Sequence, residues 1–303
     1  MNQNTVTSKN NSAKPFVKWA GGKGNLLYSL ESQLPNDFDS HEKVTYIEPF
    51  VGGGAMLFHM LTKHPNIQRA VINDINKDLI RCYQLVKDNP LTLIELLKPI
   101  EQRFYELNEE ERRIYFYEMR HKYNNDEQNE DRRAAILIFL NHTCFNGLYR
   151  ENADGDFNVP FGRHRKPKIC NIDVIMADHA ALSKVDIICG DYKIVLPHLG
   201  KGYNYVYLDP PYRPLQGSYN FKQYSKSGFG DKEQKELKLF CDRLTMRGCQ
   251  LMLSNSDSMD NDGTSYFKAL YKDYSFDTIL APRFINAHAE RREKQAEVLI
   301  KNY

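Results

Sequence analysis

The sequence predicts an α/β protein in which one sheet is interrupted by a mainly helical insertion that ends in a hairpin. Three observations predict it. Strand-like and helix-like runs alternate over residues 15–90, long helical segments rich in Glu, Arg and Tyr fill 91–145, and strand-like runs return after residue 181. Short β-rich runs spaced by helices are typical of a parallel sheet.

The first alternating segment contains two strands and two helices. Strands are predicted over 44–47 and 70–73, and helices over 55–62 and 77–86. Beyond the insertion, runs rich in β-branched and aromatic residues predict five more strands, over 185–189, 203–208, 250–253, 276–280 and 297–301.

The insertion begins where Asn89-Pro90 interrupts the helical pattern. Residues 146–168 are rich in turn formers, and they include the Asp154-Gly155 pair that favours a tight hairpin. The runs 109–113 and 126–133 mix both charge signs, a pattern typical of solvated helix faces.

The charge balance excludes one class of protein. The 303 residues carry 41 Lys and Arg against 39 Asp and Glu, a formal net charge of +2. A highly basic architectural protein that coats nucleic acid is therefore disfavoured. A local basic face remains compatible with this total, because acidic residues elsewhere can balance it.

The ends, the apolar runs and the cysteines bear on location. Residues 1–14 are polar and predict a flexible tail without the apolar core of a signal peptide. The longest apolar run, 134–140, is far shorter than the roughly 20 residues that cross a bilayer. The six cysteines form no Cys-x-x-Cys pair, which favours free thiols in a reducing compartment. We expect a cytoplasmic protein without a membrane anchor or a metal site.

A glycine-rich turn follows the first predicted strand. Residues 47–54 read Ile-Glu-Pro-Phe-Val-Gly-Gly-Gly and open a helix, where glycines allow a tight turn and a close approach of a ligand. A plain packing turn is the alternative. The next strand ends in Asn73-Asp74, and a carboxylate there is placed to accept hydrogen bonds from ribose hydroxyls. The pair favours an adenosine-containing cofactor, and the glycine spacing disfavours NAD.

The most specific motif is Asp209-Pro210-Pro211-Tyr212, which terminates the strand predicted over 203–208. Two prolines fix the backbone and leave carbonyls that only accept hydrogen bonds. A carboxylate beside such a carbonyl suits an exocyclic amine, which has two N–H donors, and Tyr212 offers a face on which a base can stack. An ordinary strand-ending turn is the alternative, which the neighbouring adenosine-type site disfavours.

Six ordered motifs resemble the Dam-type (D12 class) family of DNA adenine-N6 methyltransferases. They cover nearly the whole chain beyond the N-terminal tail. The motifs are Lys18-Trp19-Ala20-Gly21-Gly22-Lys23, Glu48-Pro49-Phe50-Val51-Gly52-Gly53-Gly54, Asn73-Asp74-Ile75-Asn76, Phe145-Asn146-Gly147-Leu148-Tyr149-Arg150, Phe157-Asn158-Val159-Pro160-Phe161-Gly162-Arg163 and Asp209-Pro210-Pro211-Tyr212. The resemblance implies a Rossmann-like methyltransferase fold with a mixed sheet, and S-adenosylmethionine (SAM) as methyl donor.

The resemblance also implies a division of the chain. Residues 15–90 would form the SAM-binding half of a catalytic domain, and 181–303 its methyl-transfer half. Residues 91–180, with the hairpin at 146–168, would form a target-recognition domain.

Twelve residues are implied at the cofactor site. Asp74 would bind the ribose, Asp191 the adenine amine, and Tyr192 would lie beside the adenine ring. The full set is Trp19, Ala20, Gly21, Lys23, Glu48, Pro49, Phe50, Gly52, Asp74, Asp191, Tyr192 and Asp209.

The implied catalytic residues are Asp209, Pro210, Pro211 and Tyr212. The lone pair of adenine N6 is delocalised into the ring. Hydrogen bonds from its N–H groups to the Asp209 side chain and the Pro210 carbonyl would favour a pyramidal nitrogen that attacks the methyl group directly. The adenine must leave the duplex, and stacking on Tyr212 would offset part of the lost base stacking. Cytosine-C5 chemistry is disfavoured, because no cysteine lies in a Pro-Cys motif.

Basic and amide side chains around the predicted hairpin are suited to base edges and phosphates. The resemblance implies that Lys18 contacts the first guanine of a GATC site. The predicted DNA-binding residues are Lys18, Asn146, Leu148, Arg150, Asn158, Pro160 and Arg163, with phosphate contacts at most for Arg165, Lys166 and Lys168. His164 and Gln216 depart from the family pattern, and both departures concern flanking contacts.

The sequence thus predicts a site-specific DNA adenine-N6 methyltransferase that acts on double-stranded DNA, and it gives no sign of an obligate protein partner. The Asn-Gly-Leu-Tyr-Arg segment favours DNA as the substrate. The alternatives are the same catalytic turn acting on another DNA site, RNA adenine, a protein glutamine amide or cytosine N4, and an inactive DNA-binding relative.

Overall fold

The computed structural model describes residues 12–19, 21–126, 128–213, 229–256, 265–281 and 295–303. The chain divides into two compact units. The sheet unit comprises Lys23–Val51, His64–Ile75 and Val185–Tyr303, and the helical unit comprises Met1–Gly22, Gly52–Lys63 and Asn76–Lys184. These units are defined by compactness and do not test the predicted division into SAM-binding, target-recognition and methyl-transfer segments at residues 90 and 180, which stays a prediction.

The strands found in the described ranges all belong to the sheet unit. They are β1 (Val44–Glu48), β2 (Ile67–Asp74), β3 (Val185–Cys189), β4 (Tyr203–Leu208), β5 (Gln250–Ser256), β6 (Ser275–Ala281) and β7 (Gln295–Lys301). Their order across the sheet is β3-β2-β1-β4-β5-β7-β6. The fold is therefore α/β, as predicted.

The direction of β7 corrects the parallel sheet that the strand–helix alternation predicts. β7 runs antiparallel to both β5 and β6, whereas the other neighbouring pairs are parallel. Among the described strands β7 comes next after β6, and the two pair from Ser275↔Lys301 to Ala281↔Gln295. Parallel neighbours need a crossover connection, whereas antiparallel neighbours do not. The mixed sheet implied by the family resemblance is confirmed.

β2 and β5 extend furthest beyond their predicted ranges, because polar residues hide their ends. β2 begins at Ile67 and includes Arg69, whose Nε donates to Asp186 Oδ2 on β3 at 2.8 Å. β5 continues to Ser256 through polar residues that are buried and paired with β7. A pattern based on hydrophobicity ends at such residues, although the sheet continues.

The described residues form nine α-helices. They are α1 (Leu27–Glu31), α2 (Ala55–Lys63), α3 (Lys77–Asp88), α4 (Pro90–Glu106), α5 (Glu109–His121), α6 (Glu130–Thr143), α7 (Ile172–Leu182), α8 (Asp231–Met246) and α9 (Tyr266–Leu270). α1, α8 and α9 lie in the sheet unit. Leu237, Phe240 and Leu244 of α8 share a buried cluster with Val206 and Leu251 of the sheet, which gives that helix its apolar stripe.

The helical unit is built around α6. Every residue of the apolar run 134–140 is buried, and a helix that is apolar on all sides lies inside a core. Local signals determine where neighbouring helices begin. Asn76 caps α3 by accepting from Leu79 N at 2.8 Å, Pro90 is the first residue of α4, and Asn108 caps α5.

The runs 109–113 and 126–133 are largely exposed where the structure describes them, as predicted, but each contains an arginine that is half-buried and binds other segments. Arg133 donates from Nη2 to Asp78 Oδ2 at 2.9 Å and also binds the Tyr123 carbonyl. Arg112 donates to the carbonyls of Phe104 and Arg165, at 2.8 and 3.0 Å. These guanidiniums tie elements of the helical unit together, so a mixed charge run does not by itself indicate a purely solvated face.

The predicted hairpin is an antiparallel loop rather than a regular two-stranded ribbon. Two isolated bridges hold it, Cys144↔Phe161 and Glu151↔Phe157. At its tip the Asn152 side chain accepts from Asp154 N and Asp156 N, at 3.0 and 2.9 Å. Positive φ angles at positions 146 and 147, of 56° and 63°, bend the chain and interrupt strand pairing.

Within the described residues, no helix combines the length and hydrophobicity needed to cross a membrane.

Candidate active site

Acidic residues lie at the carboxyl ends of four neighbouring parallel strands of the sheet unit. Glu48 ends β1, Asp74 ends β2, Asp191 lies just after β3, and Asp209 follows β4. The strands lie side by side in the order β3-β2-β1-β4, so their carboxyl ends share one edge of the sheet. This edge is where open α/β sheets bind ligands.

The Asp209 carboxylate is held by two donors. Lys23 Nζ lies 3.0 Å from Asp209 Oδ1, and Ser254 Oγ on β5 donates to the same oxygen at 3.1 Å. Tyr207 OH lies 3.2 Å from Ser254 Oγ and continues the network into the sheet. The carboxylate is only 20% exposed, so its orientation is set by these neighbours.

The rest of the turn is anchored as well. Pro210 is buried, and the Pro211 carbonyl accepts from Gln234 Nε2 of α8 at 3.2 Å. The buried Asn255 accepts from Arg213 N at 3.3 Å. The Asp-Pro-Pro-Tyr turn is thus fixed at both of its ends by side chains from α8 and β5.

Lys23 lies at the catalytic turn. Its side chain is 5% exposed and contacts Tyr212 OH at 2.5 Å, with the ammonium 4.6 Å from the centre of the Tyr212 ring. Glu297 Oε2 on β7 lies 3.6 Å from the same ammonium. The pKa of Glu297 is raised overall. Burial raises it most, the nearby Lys23 charge lowers it, and the Asp209 charge raises it. Burial, followed by the Asp209 charge, raises the pKa of Tyr212.

Asn73, near the end of β2, joins the loops that follow β1 and β3. Its side-chain Nδ2 donates to the backbone carbonyls of Pro49 and Gly190, at 2.9 and 3.0 Å. Its backbone carbonyl accepts from Val51 N at 2.9 Å. The side chain is 1% exposed, and its Oδ1 has no hydrogen-bond partner in the part of the chain that the structure describes. Asn73 therefore ties together the segments beside Glu48, Asp74 and Asp191 at the ends of β1, β2 and β3.

The other predicted cofactor residues of the sheet unit differ in exposure. Glu48 is buried and accepts from Tyr46 OH at 2.9 Å. Asp191 is exposed and caps the following turn by accepting from Lys193 N at 2.9 Å. Tyr192 is buried with its ring 5.2 Å from that of Phe50. Their contacts with a cofactor stay predictions.

The glycine-rich turn continues into the helical unit, where Trp19 and Tyr83 pack against it. Trp19 stacks on Tyr149, with ring centres 4.8 Å apart. A Cβ at Gly52, whose φ is +48°, would lie 2.9 Å from Trp19 Cδ1, and a Cβ at Gly54 would clash with the Tyr83 hydroxyl. Packing alone thus requires these glycines. Gly21 is exposed with φ +78°, and Ala20 lies outside the described residues.

The predicted DNA-binding residues all lie in the helical unit, and most of them are exposed. Arg150 Nε donates to Asn158 Oδ1 at 2.6 Å, so these two side chains act as a pair. His164 lies 3.0 Å from the Cys144 carbonyl through Nε2 and anchors the loop, while Gln216 lies outside the described residues. The exposed members are Lys18, Asn146, Arg150, Pro160 and Arg163, and Leu148 and Asn158 are half-buried.

Ser254, Glu297 and Asn141 were absent from the predicted site. Ser254 and Glu297 lie on strands that carry no motif, and they reach Asp209 and Lys23 only through pairing of β4, β5 and β7. Asn141, in the helical unit, is a polar residue that follows the apolar run 134–140. A polar residue directly after such an apolar run indicates a buried hydrogen-bonding side chain, although the sequence does not reveal which residues it binds.

A family model and several similar proteins all relate this chain to methyltransferases. The D12 class N6 adenine-specific DNA methyltransferase family matches residues 19–283. The type II methyltransferase M.MjaIII of Methanocaldococcus jannaschii is 41% identical over 293 residues, which cover 96% of this chain and 99% of the relative. The type II methyltransferase M1.LlaDCHI of Lactococcus lactis subsp. cremoris is 35% identical over 96% of this chain and 95% of the relative. A DNA adenine methylase of Haemophilus influenzae is 31% identical, with coverages of 94% and 92%.

These matches extend over both units, and they confirm the family resemblance carried by the six motifs. The chain belongs to the D12 class of N6 adenine-specific DNA methyltransferases.

Proposed function

We propose that this methyltransferase takes its methyl group from SAM and transfers it to the N6 of an adenine extruded from duplex DNA, with GATC as the recognised site. The observation that carries the proposal is the Asp209 carboxylate, held by Lys23 and Ser254 at the end of β4. Orientation of a reacting group by a prearranged site is a large source of catalysis.

Asp209 and Pro210 act on the amine of the target adenine. The Lys23 and Ser254 contacts both engage Asp209 Oδ1, and an ionised carboxylate can accept further hydrogen bonds at its second oxygen. The Asp209 side chain and the Pro210 carbonyl accept from the two N–H groups of adenine N6. This arrangement draws the nitrogen toward a pyramidal geometry with its lone pair available, and the Tyr212 ring supports the extruded base by stacking.

The residues at the strand ends fit an adenosine ligand. Glu48, Asp74 and Asp191 are acceptors for hydroxyl and amino donors, and buried Asn73 Oδ1 has no hydrogen-bond partner among the described residues. When bound, SAM supplies an electrophilic methyl group on a sulfonium. Asp74 is proposed to hold the ribose and Asp191 the adenine amine, with Phe50 and Tyr192 as apolar neighbours. In the helical unit, Trp19, Gly21 and Gly52 are proposed as further cofactor contacts.

The exposed residues of the helical unit are proposed to contact the DNA. Lys18 contacts the first guanine, and Arg150, Leu148 and Pro160 contact the second half of the site. An arginine binds guanine O6 and N7 through two hydrogen bonds, and apolar groups suit the thymine methyl. Asn158, through its bond to Arg150, orients that guanidinium.

The test is methylation in a host that lacks adenine methylation. DNA from cells that express the chain is digested with nucleases that distinguish methylated from unmethylated GATC, and the methylated adenines are mapped by sequencing. We expect protection at GATC. Unprotected GATC sites, in cells with folded protein and methylated adenines elsewhere, would contradict the proposed site alone.

Asp209→Asn is the matched variant, because it keeps the size of the side chain and removes the charge that binds Lys23. We expect it to bind a GATC duplex about as tightly as the wild type and to lose most methyl transfer. Normal turnover by Asp209→Asn would overturn the catalytic assignment. Incorporation of label from methyl-labelled SAM into DNA, compared between the two proteins, tests the donor directly.

A further inference from the structure

Asn141, near the carboxyl end of α6, binds two segments that are remote from each other in sequence. Its Oδ1 accepts from Lys18 N at 2.8 Å, and its Nδ2 donates to the carbonyls of Lys18 at 2.8 Å and Gly147 at 3.1 Å. The side chain is 0% exposed. A primary amide has two N–H donors and one carbonyl oxygen, so these bonds use both donors and the acceptor.

The two segments also contact each other. Gly147 has φ +63°, and a Cβ at this position would overlap the Lys18 side chain at Cδ and Cβ. The stem of Lys18 therefore lies directly against the backbone of Gly147. Only glycine allows this approach, because any side chain there would displace Lys18.

The location of Asn141 argues against a general role in packing. It follows the buried apolar run 134–140, where an apolar side chain would be the ordinary choice. Burying an amide costs free energy unless it is hydrogen-bonded, and here every bond goes to a segment that carries predicted base contacts. Thr143, two residues further on, is equally buried but binds the Phe139 carbonyl of its own helix at 2.7 Å.

We propose that Asn141 is a positioning residue for sequence specificity, which holds Lys18 and the loop 146–150 in one register. This inference rests on the proposed function, in which Lys18 contacts the first base pair and Leu148 and Arg150 contact the second half of the site. Asn141 acts through the backbone of both segments, and loss of its amide lets each shift relative to the other. Discrimination then falls at both halves of the recognised site.

The experiment compares Asn141→Leu with Thr143→Val, a matched control of equal burial on the same helix. For each purified protein, kcat/KM is measured on the recognised duplex and on duplexes altered at the first base pair or at a base pair beyond the adenine. The recognised sequence is the one found by mapping methylated adenines. We expect Asn141→Leu to lose about tenfold or more of the preference at both positions, since a single base contact contributes roughly that factor of discrimination. Thr143→Val should keep both preferences.

A double variant tests whether Asn141 acts through Lys18. Lys18→Ala combined with Asn141→Leu should lose no more preference at the first base pair than Lys18→Ala alone, because coupled residues are not additive. Asn141→Ser leaves a side chain too short to bind both segments, and it provides the same comparison if the leucine variant does not fold.

The outcomes separate the two proposals. An equal loss of activity on all duplexes, with preferences unchanged, would show a purely structural role and overturn the Asn141 proposal alone. Loss of preference at one half only would overturn the claim that Asn141 joins both segments. A wild-type protein without preference at either position would overturn the proposed base contacts themselves, and the Asn141 proposal with them.

Discussion

Asp178 on α7 provides a prediction that depends only on the fold of the helical unit. The side chain is 0% exposed, its Oδ1 accepts from Lys14 N at 2.9 Å, and its Oδ2 has no hydrogen-bond partner in the described ranges. Burial raises the pKa of Asp178 from 3.8 to about 8, and this outweighs the lowering by the Lys14 N–H and charge. The carboxyl is therefore expected to carry a proton in the folded protein at neutral pH.

The sign and size of the effect follow from proton linkage. Between pH 4 and 8 the folded state binds a proton that the unfolded state has lost, so the contribution of Asp178 to stability falls as the pH rises through this window. One pKa unit corresponds to about 1.4 kcal/mol, and the three pH units from 5 to 8 give at most about 4 kcal/mol. The contribution levels off above the folded-state pKa of about 8.

Asp178→Asn removes the titration and keeps an acceptor for Lys14 N. The free energy of unfolding is measured by urea titration of both proteins at pH 5 and pH 8. We expect the variant to gain up to about 4 kcal/mol relative to the wild type between these pH values. Burial lowers the pKa of His142, which weakens the folded state on acidification, but this effect is present in both proteins and cancels in the difference.

Asp173→Asn is the control, because Asp173 is an exposed carboxylate in the first turn of the same helix. It should change stability by the same small amount at both pH values, of order 0.3–1 kcal/mol for a charge near a helix end. If Asp178→Asn showed a difference from wild type that did not change between pH 5 and 8, the assignment of a buried, protonated carboxyl would be refuted.

Three further predictions concern charge, glycine strain and specificity. Lys23→Met leaves the Asp209 carboxylate without its buried cation. It should lower kcat by roughly 100-fold or more with little change in DNA affinity, since loss of one oriented electrostatic contact costs about that much. A near-normal kcat would contradict this role of Lys23. Gly54→Ala should lower the unfolding temperature more than Gly248→Ala. Both glycines have positive φ, but only a Cβ at position 54 would clash with a packed side chain, that of Tyr83. Equal losses would show that φ alone determines the cost of the substitution. Arg150→Ala should relax discrimination at one base pair by about 1–3 kcal/mol, whereas Lys166→Ala should weaken binding on all sequences alike; a uniform loss from Arg150→Ala would make it a phosphate contact.

The sequence alone was sufficient for the parts of the molecule that local chemistry determines. The alternation of strands and helices predicted the α/β class, Asn89-Pro90 marked the start of α4, and the ordered motifs identified the family. Turns such as Asp209-Pro210-Pro211-Tyr212 can be recognised because their residue types restrict the backbone of their own neighbours. Asp74 and Asp209 were singled out because each follows a predicted strand, whereas Glu48 and Asp191 came from the family resemblance, and the structure places all four at one edge of the sheet.

The tertiary structure decided which remote residues meet. Lys23 contacts Tyr212 across 189 positions of the sequence, and Glu297 joins them because β7 inserts antiparallel beside β5. Asn141 bonds to Lys18 across 123 positions. No local pattern encodes these pairs, because a buried charge or amide can be satisfied by any suitable partner that folding brings within about 3 Å. The motifs thus determined which reactive side chains this protein has, and packing determined which other residues hold those side chains in place.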